Sequence, residues 1–314
     1  MTAAPLVTMI VPGRDIAAFA PAAIDSLRAQ TEPRWRALLI DDGSADDTGA
    51  VFAAAAADDE RFTFVQHPAS RGLGAARNIG LAQVDTPFTG FLDADDELLP
   101  DALALLLGTL ERTGSDFAAG AYVRTRLHGD RYVAGRVQPW VAAATDPARH
   151  GTTLAAHPHA VSNIVAWSKI SRTELWQDLR FPEGVAYEDQ VVAQTLYTRA
   201  RAFDVIPDVV VRWRVRPDGT SITQSKAQLP VLRDYLTALR GGIRVLHEAG
   251  AHAAVTARLD LILAMDVAPL REIARSHPDP AYAAEVAAFI AELEALPEFA
   301  HAAPDPALAD ALSW

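Results

Sequence analysis

Between Leu6 and Val123 the chain alternates short apolar runs with segments of helical spacing. Val7–Val11 has the composition of a buried strand and stops at Pro12-Gly13, and Pro21–Gln30 then puts Ile24 and Leu27 on one helical face. The order repeats with a strand over Trp35–Ile40, an alanine-rich helix over Thr48–Ala57, a strand over Phe62–Val65, a short helix over Ala75–Ala82 and a strand over Phe88–Leu92. Pro100 marks the start of a further helix with an apolar body at Ala102–Leu110, and Phe117–Val123 is the next strand. This succession predicts an α/β fold with a mainly parallel sheet covered by helices on both faces.

The pattern changes after Val123. Arg124–Pro158 is less regular, broken by Gly129, Gly135, Pro139, Pro147 and Gly151. Ser168–Leu179 and Glu188–Thr198 have helical spacing, and Val205–Val215 alternates loosely as a strand. From Gln228 onward the chain is rich in alanine and leucine, reads as helical, and carries no chemistry-bearing motif. The expected division is therefore an α/β unit over residues 1–225, with halves of about 1–123 and 124–225, and a helical extension over 226–314.

In open sheets of this kind ligands bind beyond the carboxyl ends of the strands. The polar clusters fall there: Arg14-Asp15 after the first strand, Asp41-Asp42 after the second, and Asp93-Ala94-Asp95-Asp96 after the fourth. Hydrophobic residues make up 50% of the chain, enough for a sizeable core, and the formal net charge is −12. That balance argues against a protein built to grip a nucleic-acid backbone, which needs a basic footprint. It leaves anionic ligands open, because a divalent cation inverts the local sign. Cysteine is absent, which excludes disulfides, thiolate nucleophiles and cysteine metal sites. Met1–Leu6 shows no charged segment leading into a long apolar run, and no stretch matches the ~20 apolar residues of a membrane span. The expected location is the cytoplasm, with peripheral contact at the inner face of the membrane left open.

Each cluster has a chemical reading and a plainer one. In Phe91-Leu92-Asp93-Ala94-Asp95-Asp96 an apolar strand delivers carboxylates abruptly to its end, where two of them can face one Mg²⁺ or Mn²⁺; the plainer role is to cap the helix that follows. In Ile40-Asp41-Asp42-Gly43-Ser44 a strand-end carboxylate can accept a hydrogen bond from a nucleobase N–H. A turn with an N-cap accounts for Asp46 or Asp47, but not for Asp41-Asp42. Ser70-Arg71-Gly72-Leu73-Gly74-Ala75-Ala76-Arg77-Asn78 is a glycine-rich turn opening a helix, suited to a diphosphate. It also mimics a dinucleotide loop. That assignment fails because the turn follows the third strand, Pro68 stands where the first glycine belongs, and no Tyr-x-x-x-Lys pair exists. Phe181-Pro182-Glu183-Gly184-Val185-Ala186-Tyr187-Glu188-Asp189 places paired acids at a helix start, where they can supply a general base or simply a cap.

Taken in order, these stretches resemble the family 2 glycosyltransferases of the GT-A, Rossmann-like fold. The resemblance runs through Thr8-Met9-Ile10-Val11-Pro12, Gln30-Thr31, Ile40-Asp41-Asp42-Gly43-Ser44, Gly72–Asn78 and Phe91–Asp96. It continues through Phe181–Gly184 with Tyr187-Glu188-Asp189 to Trp213-Arg214 with Ser221-Ile222-Thr223, about residues 6–225 in all. It implies an inverting, metal-assisted transfer of sugar from a nucleotide-diphosphate donor, a UDP-sugar first among the choices, to a hydroxyl of a carbohydrate, lipid-linked or small-molecule acceptor in bacterial polysaccharide or cell-surface assembly. Asp42 would contact the base, with Pro12 and Asp15 lining its pocket. Arg77 would lie near the base or diphosphate and Asp93 near the ribose or metal, with Asp95 as the main ligand of Mg²⁺ or Mn²⁺. Asp189, rather than Glu188, would be the general base, and Arg214 and Arg216 would help to hold the diphosphate. Residues 124–225 would shape the acceptor site; the region after about residue 226 matches no family motif and is open to service as an acceptor-binding cap, an oligomer interface or a partner dock. Pro12-Gly13-Arg14-Asp15 departs from the family's Pro-x-Tyr-Asn and lacks its aromatic, which bears on base stacking. A sugar-phosphate nucleotidyltransferase would carry a basic glycine-rich loop after the first strand, which is absent here. The alternative from another class is a GT-A protein that binds nucleotide-sugar or a partner without transfer.

Overall fold

The computed structural model of the chain describes residues 4–217 and 226–304, so Ser221-Ile222-Thr223 lies outside the described residues. The expected βαβα order is present. β1 (Val7–Gly13), β2 (Trp35–Asp42), β3 (Phe62–His67) and β4 (Phe88–Phe91) form the parallel half of the sheet. α1 (Ala20–Arg28), α2 (Thr48–Asp58) and α3 (Leu73–Leu81) connect them. α1 buries Ala20, Ala23, Ile24 and Leu27, a single stripe at helical spacing. β1 is almost wholly buried, as expected of a central parallel strand covered on both faces.

The second half is mixed. After the short β5 (Glu97–Leu98) and α4 (Ala102–Thr113) come β6 (Phe117–His128), β7 (Arg131–Val137), α5 (Pro139–Thr145), β8 (Arg149–Thr152), β9 (Lys169–Arg172), α6 (Asp189–Arg199) and β10 (Phe203–Arg214). The sheet order is β3-β2-β1-β4-β9-β6-β10-β5, with β7 paired to β6 and β8 to β10. The segment Ser168–Leu179, expected to be helical, instead holds β9 and a 3₁₀ turn over Thr173–Trp176. β4 and β6 do not pair with each other, and β9 bridges them antiparallel, Ile170 standing opposite both Gly90 and Ala118. Buried backbone groups on two strands must find partners, and that demand overrides a weak helical spacing. The excursion over Arg124–Pro158 is more regular than its glycines suggest, because β6 continues outward and folds back as a hairpin with β7.

The C-terminal helices are α7 (Leu229–Glu248), α8 (His252–Ile262), α9 (Ala268–Ser276) and α10 (Pro280–Glu294), with a π-helical turn at Leu263–Val267. They share an apolar cluster with the sheet: Phe117 and Phe203 stack at 5.0 Å, Tyr197 of α6 meets both edge-on, and Leu236, Leu239 and Phe289 belong to the same core. Among the described residues no helix is long and apolar enough to cross a membrane.

α7 lies directly on α6 because Gly241 and Gly242 stand at the contact. A Cβ at Gly241 would fall 2.6 Å from a γ-methyl of Val191, and one at Gly242 would fall 3.3 Å from Gln194 Cγ. A helical valine has essentially one side-chain rotamer, so Val191 cannot swing aside. Gly241→Ala is therefore expected to lower stability by about 1–3 kcal/mol through overpacking, despite alanine's better helix propensity. Gly108→Ala in α4, where the nearest atom is the end of Arg112 at 3.9 Å, is expected to stabilise by up to about 1 kcal/mol. Urea denaturation of both variants checks the pair; equal effects would show that α7 does not rest on α6 this closely.

Candidate active site

The strand ends converge as polar edges. Asp42 closes β2, and its carboxylate accepts from Ser70 Oγ at 2.7 Å and from the amides of Arg71 and Gly72 at 2.9 Å each. The glycine-rich turn is thus clamped onto the strand end. Gly43, at φ +68°, permits this, since a Cβ there would meet Ser70 N at 2.7 Å. Two of the three bonds go to Oδ2 and one to Oδ1, so Oδ1 keeps an acceptor position. Asp15, at φ +50°, ties the end of β1 to the next loop: its amide donates to Ser44 Oγ at 3.0 Å and its Oδ1 accepts from Ala45 N at 2.8 Å. Arg14 donates to Ser70 Oγ at 3.0 Å. Pro12 is buried beneath this rim.

Arg77 on α3 is 2% exposed. One arm of its guanidinium donates to Asp93 Oδ1 at 2.7 Å and the other to Glu188. Its centre lies 5.1 Å from the Phe181 ring and 6.0 Å from that of Phe91. Arg77 therefore bridges the acid loop after β4 to the start of α6. The expected partners of Arg77 were base or diphosphate; its partners here are two carboxylates.

The acid loop is folded on itself and on β10. Asp96 N donates to Asp93 O at 2.9 Å, and buried Asp96 accepts from Arg214 N at 2.8 Å. Arg214 also binds the carbonyls of Asp95 and Phe19 and lies 3.4 Å from Glu97. Arg216 Nε and Nη2 reach Asp95 Oδ2 at 2.8 and 2.7 Å. Burial pushes the Asp93 and Asp96 carboxyls above their ordinary range, and the neighbouring carboxylates add to the shift. Arg77 takes Oδ1 of Asp93 and Arg216 takes Oδ2 of Asp95; among the described residues the other oxygen of each accepts no hydrogen bond, and both side chains are 21% exposed. Crowded, partly accessible carboxylate oxygens are the hard donor set that fits Mg²⁺ or Mn²⁺.

Glu188 and Asp189 separate in role. Glu188 is held by Arg77 and is 5% exposed. Asp189 opens α6, and among the described residues it has no hydrogen-bond partner. Burial pushes its carboxyl up to about 7, with Glu188 adding to the shift and Arg77 opposing it. Asp189 lines a small cavity of about 10 Å³ together with Lys169, Ser171, Phe91, Trp176 and Phe181. Lys169, unmarked in the sequence, donates to Asn163 O at 2.7 Å, Asn163 Oδ1 at 2.9 Å and Val165 O at 2.7 Å. Burial lowers its ammonium to about 7, against the attraction of Asp189.

With this geometry in hand, comparison with known proteins is direct. Residues 8–163 match the model of glycosyl transferase family 2. The chain is 24% identical over 234 residues to glycosyltransferase GlyA of Streptococcus pneumoniae, covering 74% of this chain and 34% of that protein. It is 26% identical over 219 residues to the uncharacterized glycosyltransferase EpsJ of Bacillus subtilis, covering 68% and 62%. The Staphylococcus aureus TarS 1–349 structure with UDP-GlcNAc superposes with a TM-score of 0.70 at 20% identity, covering 87% of this chain and 81% of that one. The mannosyltransferase PcManGT of Pyrobaculum calidifontis, with GDP-Man and Mn²⁺, gives 0.58 at 18% identity over 99% and 86%. The chain belongs to the family 2 glycosyltransferases and has the GT-A fold.

Removing the bridge tests how much of this arrangement rests on it. Arg77→Met is expected to cost about 3–5 kcal/mol in urea denaturation, because Asp93 and Glu188 are left buried without their counter-charge. A change below about 0.5 kcal/mol, the range of unremarkable surface substitutions, would show that the bridge is not structural.

Proposed function

We propose that this chain is an inverting glycosyltransferase that moves a hexose from a nucleotide-diphosphate donor to an acceptor hydroxyl in bacterial polysaccharide or cell-surface assembly. The observation that carries the proposal is Asp189. It is an unpaired acid with a raised pKa, at a helix start joined through Glu188 and Arg77 to the Asp93–Asp95 loop. A UDP-sugar is the first donor to test, since the TarS structure carries UDP-GlcNAc. GDP-sugars follow, since PcManGT carries GDP-Man with Mn²⁺. The acceptor class stays broad: carbohydrate, lipid-linked or small molecule. The proposed catalytic unit is 1–225, with 226–314 as a helical extension and work at the cytoplasmic side of the membrane.

Asp95 and Asp93 would hold Mg²⁺ or Mn²⁺, which supplies Lewis-acid stabilisation of the departing diphosphate. Asp42 would use its remaining Oδ1 acceptor position for a base N–H, with Pro12 and Asp15 forming the rim. Asp189 takes the proton of the acceptor hydroxyl as that oxygen bonds to the anomeric carbon. The bond to the diphosphate breaks on the opposite face and its electron pair leaves with the nucleotide, so configuration inverts. Glu188 is a poor base here because Arg77 occupies it.

Asp189→Asn is expected to keep donor binding while the transfer rate falls by about 10²–10⁴-fold, as when a general base is removed. Near-normal turnover would remove Asp189 from the role. Transfer needs the carboxylate form, so the wild-type rate is expected to fall as pH drops through about 7. The stability contribution runs the other way: a raised carboxyl favours the fold at low pH, and that contribution is lost as pH rises through about 7. Asp189→Asn is therefore expected to raise the melting temperature at pH 8, by an amount that shrinks as pH falls below 7 toward the ordinary carboxyl range of about 4. A melting difference that does not depend on pH would show that Asp189 is not held above its ordinary range.

A further inference from the structure

The α7–α8 turn carries two imidazoles over a buried carboxylate. His247 lies in the last turn of α7, His252 is the first residue of α8, and Glu298 lies in the 3₁₀ turn Pro297–His301 after α10. The imidazole rings are 5.5 Å apart at 85° to each other. Both Nδ1 atoms approach the same carboxylate oxygen, Glu298 Oε1, at 3.1 Å from His247 and 2.6 Å from His252. Gly250, at φ +69°, makes the tight turn between the helices, its amide donating to His247 O at 2.9 Å.

Glu298 is unusual for a surface segment. It is 4% exposed, and its second oxygen, Oε2, is buried with no hydrogen-bond partner. A buried carboxylate oxygen left unpaired is destabilising unless something else satisfies it. Burial works to raise the Glu298 carboxyl, yet the hydrogen bonds from His252 and His247 hold it below its ordinary range, so it is ionised at neutral pH. Two imidazole nitrogens and a carboxylate oxygen lie within 4.8 Å of one another. In a tetrahedral site with metal–ligand bonds of about 2.0–2.2 Å the donors stand roughly 3.3–3.5 Å apart. Each ring nitrogen would retreat from the carboxylate oxygen by less than an ångström, while the two nitrogens, within 4.8 Å of each other, would settle at the same spacing. The two histidine side chains, 46% and 65% exposed, have room to do so.

We propose that His247, His252 and Glu298 form a divalent transition-metal site of the zinc class, which pins the segment after α10 onto the α7–α8 junction. The donor set of two imidazoles and one carboxylate suits Zn²⁺, whereas the all-carboxylate loop at Asp93–Asp95 suits Mg²⁺ or Mn²⁺. The exposed rings leave a further position to water. Coordination gives Glu298 Oε2 a partner within reach and replaces crowding of two ring nitrogens on one oxygen by a shared cation. Leu296 and Phe299 already pack on the helical core, so the metal would act as a staple on a docked segment.

The test uses the full chain stripped with EDTA and titrated with Zn²⁺ by calorimetry, with melting curves alongside. The expected result is one Zn²⁺ per chain that survives Asp95→Ala, together with a Zn²⁺-dependent rise in melting temperature. His252→Ala, at an exposed position, is expected to weaken Zn²⁺ binding by about tenfold or more and to abolish the melting shift. Glu298→Gln is expected to do the same, and His252→Ala decides the matter if that variant fails to fold. The proposal is overturned if wild type binds no Zn²⁺ beyond what Asp95→Ala abolishes. It is equally overturned if the His247→Ala/His252→Ala double variant binds Zn²⁺ as wild type does.

Discussion

The buried guanidinium of Arg77 is the interaction on which the site depends. Taking an arginine out of water is expensive, and it is tolerated only where carboxylates and close packing surround it. Asp93 and Glu188 supply the charge, and the rings of Phe91 and Phe181 supply the walls. The two acids come from opposite parts of the sequence: Glu188 is 111 residues from Arg77, while Asp93 is 16 away. One side chain on α3 thereby fixes the distance between the acid loop and α6. It also divides the two adjacent acids of α6, neutralising Glu188 and leaving Asp189 with a raised pKa.

α6 opens on Asp189, and the C-terminal helices support that helix from behind. Gly241 brings α7 against Val191, and buried Arg258 donates to Gln190 Oε1 at 2.7 Å. Asp234 accepts from Ala186 N at 3.0 Å, and the rings of Tyr187 and Tyr235 lie 4.3 Å apart. Tyr187 has φ +60°, a conformation that costs a bulky residue free energy and persists only where packing imposes it. These contacts all fall within a few residues of Asp189. The extension therefore bears on the position of Asp189, the proposed base. Anything that stiffens α7 and α8 stiffens the seat of Asp189.

What was legible in the sequence follows from the range of the forces involved. The parallel half was readable because its strands are local apolar runs, three of them ended abruptly by charged clusters, and the family stretches recur there in order. β9 was not readable. Its conformation is set by β4 and β6 on either side, while Ser168–Leu179 taken alone has the spacing of a helix. The candidate residues that gather at the sheet edge stood out in the sequence, but their partners did not. Nothing local in Arg77 announces Glu188, and nothing in a lone Lys169 announces three backbone and amide oxygens beside Asp189. His157 and His159 flank a proline in the sequence, and His157 bonds Ala144 O at 2.9 Å. His247 and His252 became notable only once the fold carried Glu298 back to them.

The acid loop explains why such a site is held under tension. Asp93, Asp95, Asp96, Glu188 and Asp189 face Arg77, Arg214 and Arg216. Burial and mutual repulsion push the Asp93, Asp96, Glu188 and Asp189 carboxyls upward, which records a local excess of negative charge. A structural network would have evolved toward balance, and a packed core would have dispensed with the charges altogether. An imbalance kept at the carboxyl edge of a sheet is what a site needs if a divalent cation and a diphosphate are to arrive there together. Arg216, bound to Asp95 Oδ2, competes with a cation for the same oxygen. On the proposed function, a cation at Asp95 would take over the oxygen that Arg216 now binds and shift that guanidinium's attraction toward the phosphate oxygens of the donor.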